Sequence, residues 1–178
     1  MFVTDYTKHL LDNVKKIHFI GCGGSGMYPL IQILHAKGYI ISGSDVLDGS
    51  IIRYEREMGV KVSLGHNADN VIGTDLVVYS AAIAKDNVEL NAADSYGIPT
   101  VERSVLLGYV SRLYKQSICV SGTHGKTTTT SMITTALELA GRDPSAVIGC
   151  PSSTATARPV RAMTSSSRPA SIPRPSSN

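Results

Sequence analysis

The chain has 178 residues, 42% of them hydrophobic, which is enough for one domain or one and a part around a real core. Its formal charge of +3 comes from four arginines near the end (Arg158, Arg161, Arg168 and Arg174); without them 13 basic side chains stand against 14 acidic ones, which excludes a basic nucleic-acid-binding surface. No apolar run spans a bilayer, the start has no basic-then-apolar leader, and three widely spaced cysteines (Cys22, Cys119 and Cys150) make neither a disulfide framework nor a metal cluster, so the expectation is a cytoplasmic protein without nucleic-acid or membrane partners.

Asp5–Lys15 places Leu10, Leu11 and Val14 on one side and is expected to form a leading helix. Ile17–Ile20 reads as a strand and runs into Gly21-Cys22-Gly23-Gly24-Ser25-Gly26, a G-x-G-x-x-G pattern with one extra glycine. Met27–Ala36 is an apolar helix with Pro29 in its first turn, where a missing N–H is harmless, and Gly38 after its end. Tyr39–Gly43 is the second strand, and Asp45 follows it. Together these segments form a βαβ unit. Gly21 is assigned to the turn, Gly23 to close approach of a pyrophosphate, and Gly26 to close packing of helix on strand. Asp45 lies where a ribose-contacting carboxylate belongs.

The alternation continues. Ile51–Glu57 is expected to be a helix, Val60–Leu64 a strand leading to His66, and Leu76–Tyr79 a buried parallel strand ending at Ser80 and Ala81. Asn87–Tyr96 is a helix stopped by Gly97, Pro99–Val101 a short strand, and Ser104–Leu113 a helix. Repeated strand–helix units imply an α/β fold, a Rossmann-like doubly wound parallel sheet over residues 1–113. Right-handed crossovers then bring Gly23, Asp45, Ser80 and His66 to the edge formed by the strand carboxyl ends, where ligands bind.

A second unit begins at 114. Ile118–Val120 reads as a strand, followed by the turn Gly122-Thr123-His124-Gly125, then Lys126, Thr127 and Thr128, and a helix through Ala140. Strand, glycine turn, Lys-Thr and helix make a phosphate-binding loop, although only two residues separate its glycines. Lys126 is expected to meet the β/γ-phosphates of a nucleotide, and the Thr127 hydroxyl a Mg²⁺ ion, with the helix N-terminus adding its N–H groups and positive dipole end. Residues 114–150 are therefore read as the truncated start of a P-loop ATPase domain. Pro151–Asn178 is built from Ser, Pro, Ala, Arg and Thr with few larger apolar residues and no acid or glycine. It is expected to be disordered, and its composition has the character of a shifted reading frame.

Four stretches carry a resemblance to the Mur ligase family: Ile17–Met27 (IHFIGCGGSGM), Ser42–Asp45 (SGSD), Val78–Ile83 (VYSAAI) and, most distinctive, Ser121–Thr130 (SGTHGKTTTT). The likeness runs from the first strand to Gly149. It is strongest to the members that join L-alanine to UDP-N-acetylmuramate, and it accounts for the short glycine spacing of the second loop. It implies an N-terminal Rossmann-like domain for the UDP-sugar and a central ATPase domain. It also implies activation of the muramate carboxylate as an acyl phosphate with ATP and Mg²⁺, followed by attack of the L-alanine amine. Carried over by position, Gly23, Gly24, Ser25, Gly26 and Met27 match the UDP-diphosphate loop and Asp45 the uridine-ribose position. Ser80, Ala81 and His66 match the lining of the UDP-sugar site. Gly122, Thr123, His124, Gly125, Lys126, Thr127 and Thr128 match the ATP loop, with Lys126 and Thr127 in the catalytic role and Thr127 on the metal. Cys22 departs from the aliphatic residue usual there; it reads as a small apolar filler, with a reactive thiol as the alternative. No Asp or Glu follows Asp143, so the expectation is UDP-sugar binding without turnover. Two other functions fit parts of the pattern. A nicotinamide-dependent oxidoreductase would use the first loop and Asp45 but has no use for the second loop, and a non-catalytic UDP-sugar-binding module would use the first site alone.

Overall fold

A computed structural model describes residues 9–148. The tail, 151–178, and the beginning of the expected leading helix lie outside the described residues. Five strands, β1 (Lys16–Ile20), β2 (Ile40–Asp45), β3 (Lys61–Leu64), β4 (Leu76–Tyr79) and β5 (Thr100–Glu102), form one sheet in the order β3-β2-β1-β4-β5. Every pairing is parallel. The connections are the helices α1 (Tyr28–Ala36), α2 (Ser50–Glu57) and α3 (Val88–Ser95), with a short 3₁₀ helix, Ala68–Val71, between β3 and β4. The helix α4 (Arg103–Arg112) follows β5 directly. Gly38, Gly59 and Gly97 follow α1, α2 and α3 in the left-handed region, where a glycine ends a helix at no steric cost.

Strand alternation sends Ile17 and Phe19 of β1, Ile41 of β2, Leu76 and Val78 of β4 and Val101 of β5 into one core. Leu30, Ile31 and Leu34 of α1, Ile52 of α2, and Leu106, Tyr109 and Val110 of α4 complete that core. Each fully buried Leu or Ile there contributes about 1.5–3 kcal/mol. The other core is smaller: Ile20 and Val77 meet Val71, Ala92 and Ala93. The alternate register on β1 and β2 also holds His18, Ser42 and Ser44, with Lys16 and Ile40 at the strand starts, so part of this face is polar. α3 meets it with Glu89, which is fully buried.

Two expected elements take another form. The leading segment shows turns over 9–13 and Asn13 at φ +63°, not a helix, although Leu11 and Val14 are buried as expected. Residues 117–120 form no strand, and Ile118 is 65% exposed. A strand needs a neighbour to pair with, and among the described residues none lies beside this apolar run. The helix after it does form, as α5 (Lys126–Leu139), but it buries no residue, and Leu139 is 85% exposed. Beyond α5 the chain returns to the first core, where Ala146 is buried and Val147 packs on the main cluster.

Candidate functional site

The order β3-β2-β1-β4-β5 reverses direction between β1 and β4, and the glycine loop leaves β1 at that point. Parallel α/β sheets bind ligands at such switch points. Gly21, at φ +77°, turns the chain. Its N–H and that of Cys22 donate to the Ser44 carbonyl at 2.8 and 3.1 Å, which hooks the loop over the end of β2. Ser80, beyond β4, donates its N–H to the Ile20 carbonyl and borders Gly21 from the other side. Ala81 lies exposed in the turn that follows.

Cys22 is fully buried, and the backbone of Gly43 makes room for it: a Cβ on Gly43 would stand 2.7 Å from its Sγ. Burial, then the charges of Glu55 and Asp45, push the thiol far above the ordinary range. Cys22 is therefore a filler and not a nucleophile. Gly43→Ala is expected to cost about 1–3 kcal/mol by overpacking, measured as a lower urea midpoint. Cys22→Ala should recover only part of that, because the Cys22 Cβ also stands within 2.8 Å of the added methyl.

Gly23 donates its N–H to Asp45 Oδ2 at 2.9 Å, and Asp45 Oδ1 accepts from Leu47 N–H at 3.0 Å. The two residues expected to serve diphosphate and ribose are thus joined. Each carboxylate oxygen keeps a second lone pair for a hydroxyl. Gly24 N–H donates to the Gly21 carbonyl, and Ser25 is half-buried. Met27 closes the loop. Its side chain belongs to the core and its N–H donates to the Gly24 carbonyl, so the turn and the packing both use it. At Gly26 the nearest atoms to an added Cβ would be those of the Arg103 guanidinium, at 3.4 Å.

Arg103 is a residue the sequence reading passed over. A cation in the first turn of α4 opposes the helix dipole, and β5 ends immediately before it at the ligand-binding edge. Those two signals together could have marked it. Glu89 was passed over too. It accepts from Ser44 Oγ at 2.6 Å and Asn70 Nδ2 at 2.5 Å, and it lies 2.9 Å from His66 Nδ1. His66 is thereby brought beside Ser44 at the end of β2.

In the second loop, Gly125 takes φ +77° and caps α5 in the left-handed conformation. Lys126 Nζ donates to the carbonyls of Gly122 and Thr123, so its ammonium lies over its own turn. Gly122, Thr123, His124, Gly125, Lys126, Thr127 and Thr128 are all exposed. The glycine turn and helix N-terminus suit a phosphate. For the metal, no group of three or more His, Cys, Asp or Glu among the described residues could hold an ion. No helix among them is long and apolar enough to cross a membrane.

A parallel sheet with a glycine loop at its switch point and a carboxylate joined to that loop defines a doubly wound α/β domain. The model of the Mur ligase family, catalytic domain, matches residues 16–115, and the chain belongs to the Mur ligase family. A UDP-N-acetylmuramate–L-alanine ligase of Caldanaerobacter subterraneus subsp. tengcongensis is 47% identical over 139 residues, covering 78% of this chain and 30% of that protein. One of Leptothrix cholodnii is 48% identical over 136 residues, covering 76% and 29%. Among solved structures, the UDP-N-acetylmuramate-alanine ligase of Thermotoga maritima superposes with a TM-score of 0.66 at 34% identity, over 69% of this chain and 29% of that one. The UDP-N-acetylmuramate:L-alanyl-gamma-D-glutamyl-meso-diaminopimelate ligase of Neisseria meningitides gives 0.71 at 30% identity, over 78% and 44%. The chain thus spans about 30% of the length of the curated relatives it matches.

Proposed function

We propose that residues 1–113 form the UDP-N-acetylmuramate-binding domain of an ATP-dependent ligase that joins L-alanine to that sugar in peptidoglycan precursor synthesis, in the cytoplasm. The observation that carries this reading is the Gly23–Asp45 hydrogen bond at the carboxyl edge of the sheet. The names of the relatives support it. They share UDP-N-acetylmuramate and differ in the amine, so the part of the chain common to all of them fits recognition of the sugar nucleotide. Family membership counts against the nicotinamide oxidoreductase.

In this reading Gly23, Gly24 and Ser25 hold the diphosphate, Asp45 the ribose, and His66, Ser80 and Ala81 line the sugar-nucleotide site. Residues 114–150 begin the ATP-binding domain, whose loop Gly122–Thr128 holds the phosphates of ATP with Lys126 as the charge, and Thr127 is one ligand of Mg²⁺. ATP supplies the phosphoryl group that activates the muramate carboxylate. Because α5 buries no residue and no metal-ligand group stands among the described residues, the 178-residue chain is expected to bind the sugar nucleotide without turnover.

Calorimetry with UDP-N-acetylmuramate and with NADH tests the binding. Heat with the first and none with the second is the expected result, and the reverse restores the oxidoreductase. Phosphate release is expected to stay at background with UDP-N-acetylmuramate, L-alanine, ATP and Mg²⁺. Release that needs all three substrates and disappears in Lys126→Ala would show instead that the chain is itself a ligase.

A further inference from the structure

The polar part of the second sheet face forms a hydrogen-bonded network that is joined to the glycine loop. Ser44 links the two: its carbonyl accepts from Gly21 and Cys22, and its hydroxyl donates to Glu89 Oε2 and lies 3.2 Å from His66 Nδ1. Glu89 sits in the first turn of α3, capped by Asn87, where the helix dipole favours a negative charge. Its other oxygen accepts from Asn70 Nδ2 and, at 3.4 Å, from Asn67 N–H, and it lies 3.7 Å from His18 Nε2. Burial alone would raise its pKa, but His18, Ser44 and Asn70 outweigh burial and hold it at about 2.

An ionised carboxylate only accepts, so His66 Nδ1, 2.9 Å from Glu89 Oε2, carries a hydrogen. Glu89 is fully buried and the His66 side chain is 18% exposed, which leaves the ring edge opposite Nδ1 as the one not turned to Glu89. In a neutral ring that edge, Nε2, bears a lone pair and repels an anion. In a protonated ring it is a donor.

We propose that Glu89 is a positioning residue that holds His66 with Nδ1–H turned inward, and that His66 takes up a proton on Nε2 when the diphosphate of a nucleotide sugar binds at the glycine loop. The proposal rests on the reading of that loop as the UDP-sugar site. The proton comes from solvent, adds to the Nε2 lone pair, and no other bond breaks. The groups facing the pair from the packed elements are His18 of β1, Ser44 of β2, and Asn67 and Asn70 at the 3₁₀ helix. Asp45 follows Ser44 on β2 with its carboxylate engaged by Gly23 and Leu47. His18 Nδ1 is satisfied by Ser42 Oγ at 2.9 Å.

The test uses the full chain at pH 8, where an ordinary imidazole is neutral. Calorimetric titration with UDP-N-acetylmuramate in two buffers of different ionisation enthalpy gives the protons taken up, and ¹⁵N NMR of the imidazole gives the tautomer. The wild type is expected to show the Nδ1–H tautomer when free and an uptake approaching one proton per ligand. His66→Gln should bind about tenfold more weakly and lose the uptake. Glu89→Gln should move His66 towards the Nε2–H tautomer and lose the uptake as well, and Glu89→Asp, which keeps the charge, should restore part of both.

An Nε2–H tautomer in the free wild type overturns the proposal, as does unchanged uptake in a folded Glu89→Gln. If Glu89→Gln fails to fold, the wild-type tautomer and His66→Gln decide. Wild-type binding without proton uptake overturns the proposal alone, and no wild-type binding at all overturns the UDP-sugar reading and the proposal with it.

Discussion

Gly23→Val is expected to weaken binding of UDP-N-acetylmuramate by about 100-fold or more, a loss of about 2.7 kcal/mol. A Cβ at this position would stand 3.0 Å from Asp45 Oδ2 and 3.1 Å from Ile52 Cδ1. The first effect falls on the Gly23 N–H···Asp45 bond, so the carboxylate leaves the place where it would meet a ribose. The second is direct, since the valine methyls fill the approach to the loop's N–H groups. The fold should survive at a cost of about 1–3 kcal/mol, because both contacts are with side-chain ends that can shift. Gly23→Ala should fall between the two. Calorimetry on a variant with a native circular dichroism spectrum makes the measurement, and unchanged affinity would remove Gly23 from the site.

Stability is expected to peak in mildly acidic solution, because two fully buried glutamates titrate in opposite directions. Glu89 is held at about 2, below its ordinary 4.5. Its contribution is complete above pH 4.5 and is lost as pH falls towards 2, when the proton displaces its donors. Glu55 is pushed up to about 7 by burial and by the negative charge of Asp45, with the neighbouring Cys22 thiol working the other way. Neither Glu55 oxygen has a hydrogen-bond partner among the described residues. The folded state therefore holds a proton that the unfolded state releases above pH 4.5. That contribution is complete below pH 4.5 and is lost as pH rises through 7. Each limb is worth on the order of 3 kcal/mol. Urea denaturation from pH 2 to 9 measures both. Glu55→Gln should flatten the upper limb and leave the lower one, and an upper limb that persists in this variant would show that Glu55 is not its source.

Much of the candidate site is local in sequence. Gly21–Gly26 follows an apolar run and precedes an apolar helix, and Asp45 ends the next strand, so a ligand-binding edge is legible from spacing alone. Arg103 and Glu89 are not legible in that way. Both sit in first turns of helices, and a charged residue in such a turn ordinarily faces water. The difference arises across the sheet: Ser44 and Glu89 are 45 positions apart and meet only because β2 and α3 share a face. The surroundings of Gly26 are hidden for the same reason. Its neighbour Arg103 comes from the far end of the domain, by way of β5.

The sequence by itself determined the alternation of strand and helix, the parallel sheet, both glycine turns and the place of Asp45, because each depends on a repeat or a backbone requirement carried by neighbouring residues. Only the tertiary structure decided which way His18, Ser42 and Ser44 face, that Cys22 is buried under Gly43, and that Glu89 meets His66. It also decided that Ile118–Val120 stays outside any strand although its composition is that of one. A strand's hydrogen bonds are made by another strand, and a buried charge is stabilised by groups that arrive from elsewhere in the chain. Neither is a property of the segment that carries the signal.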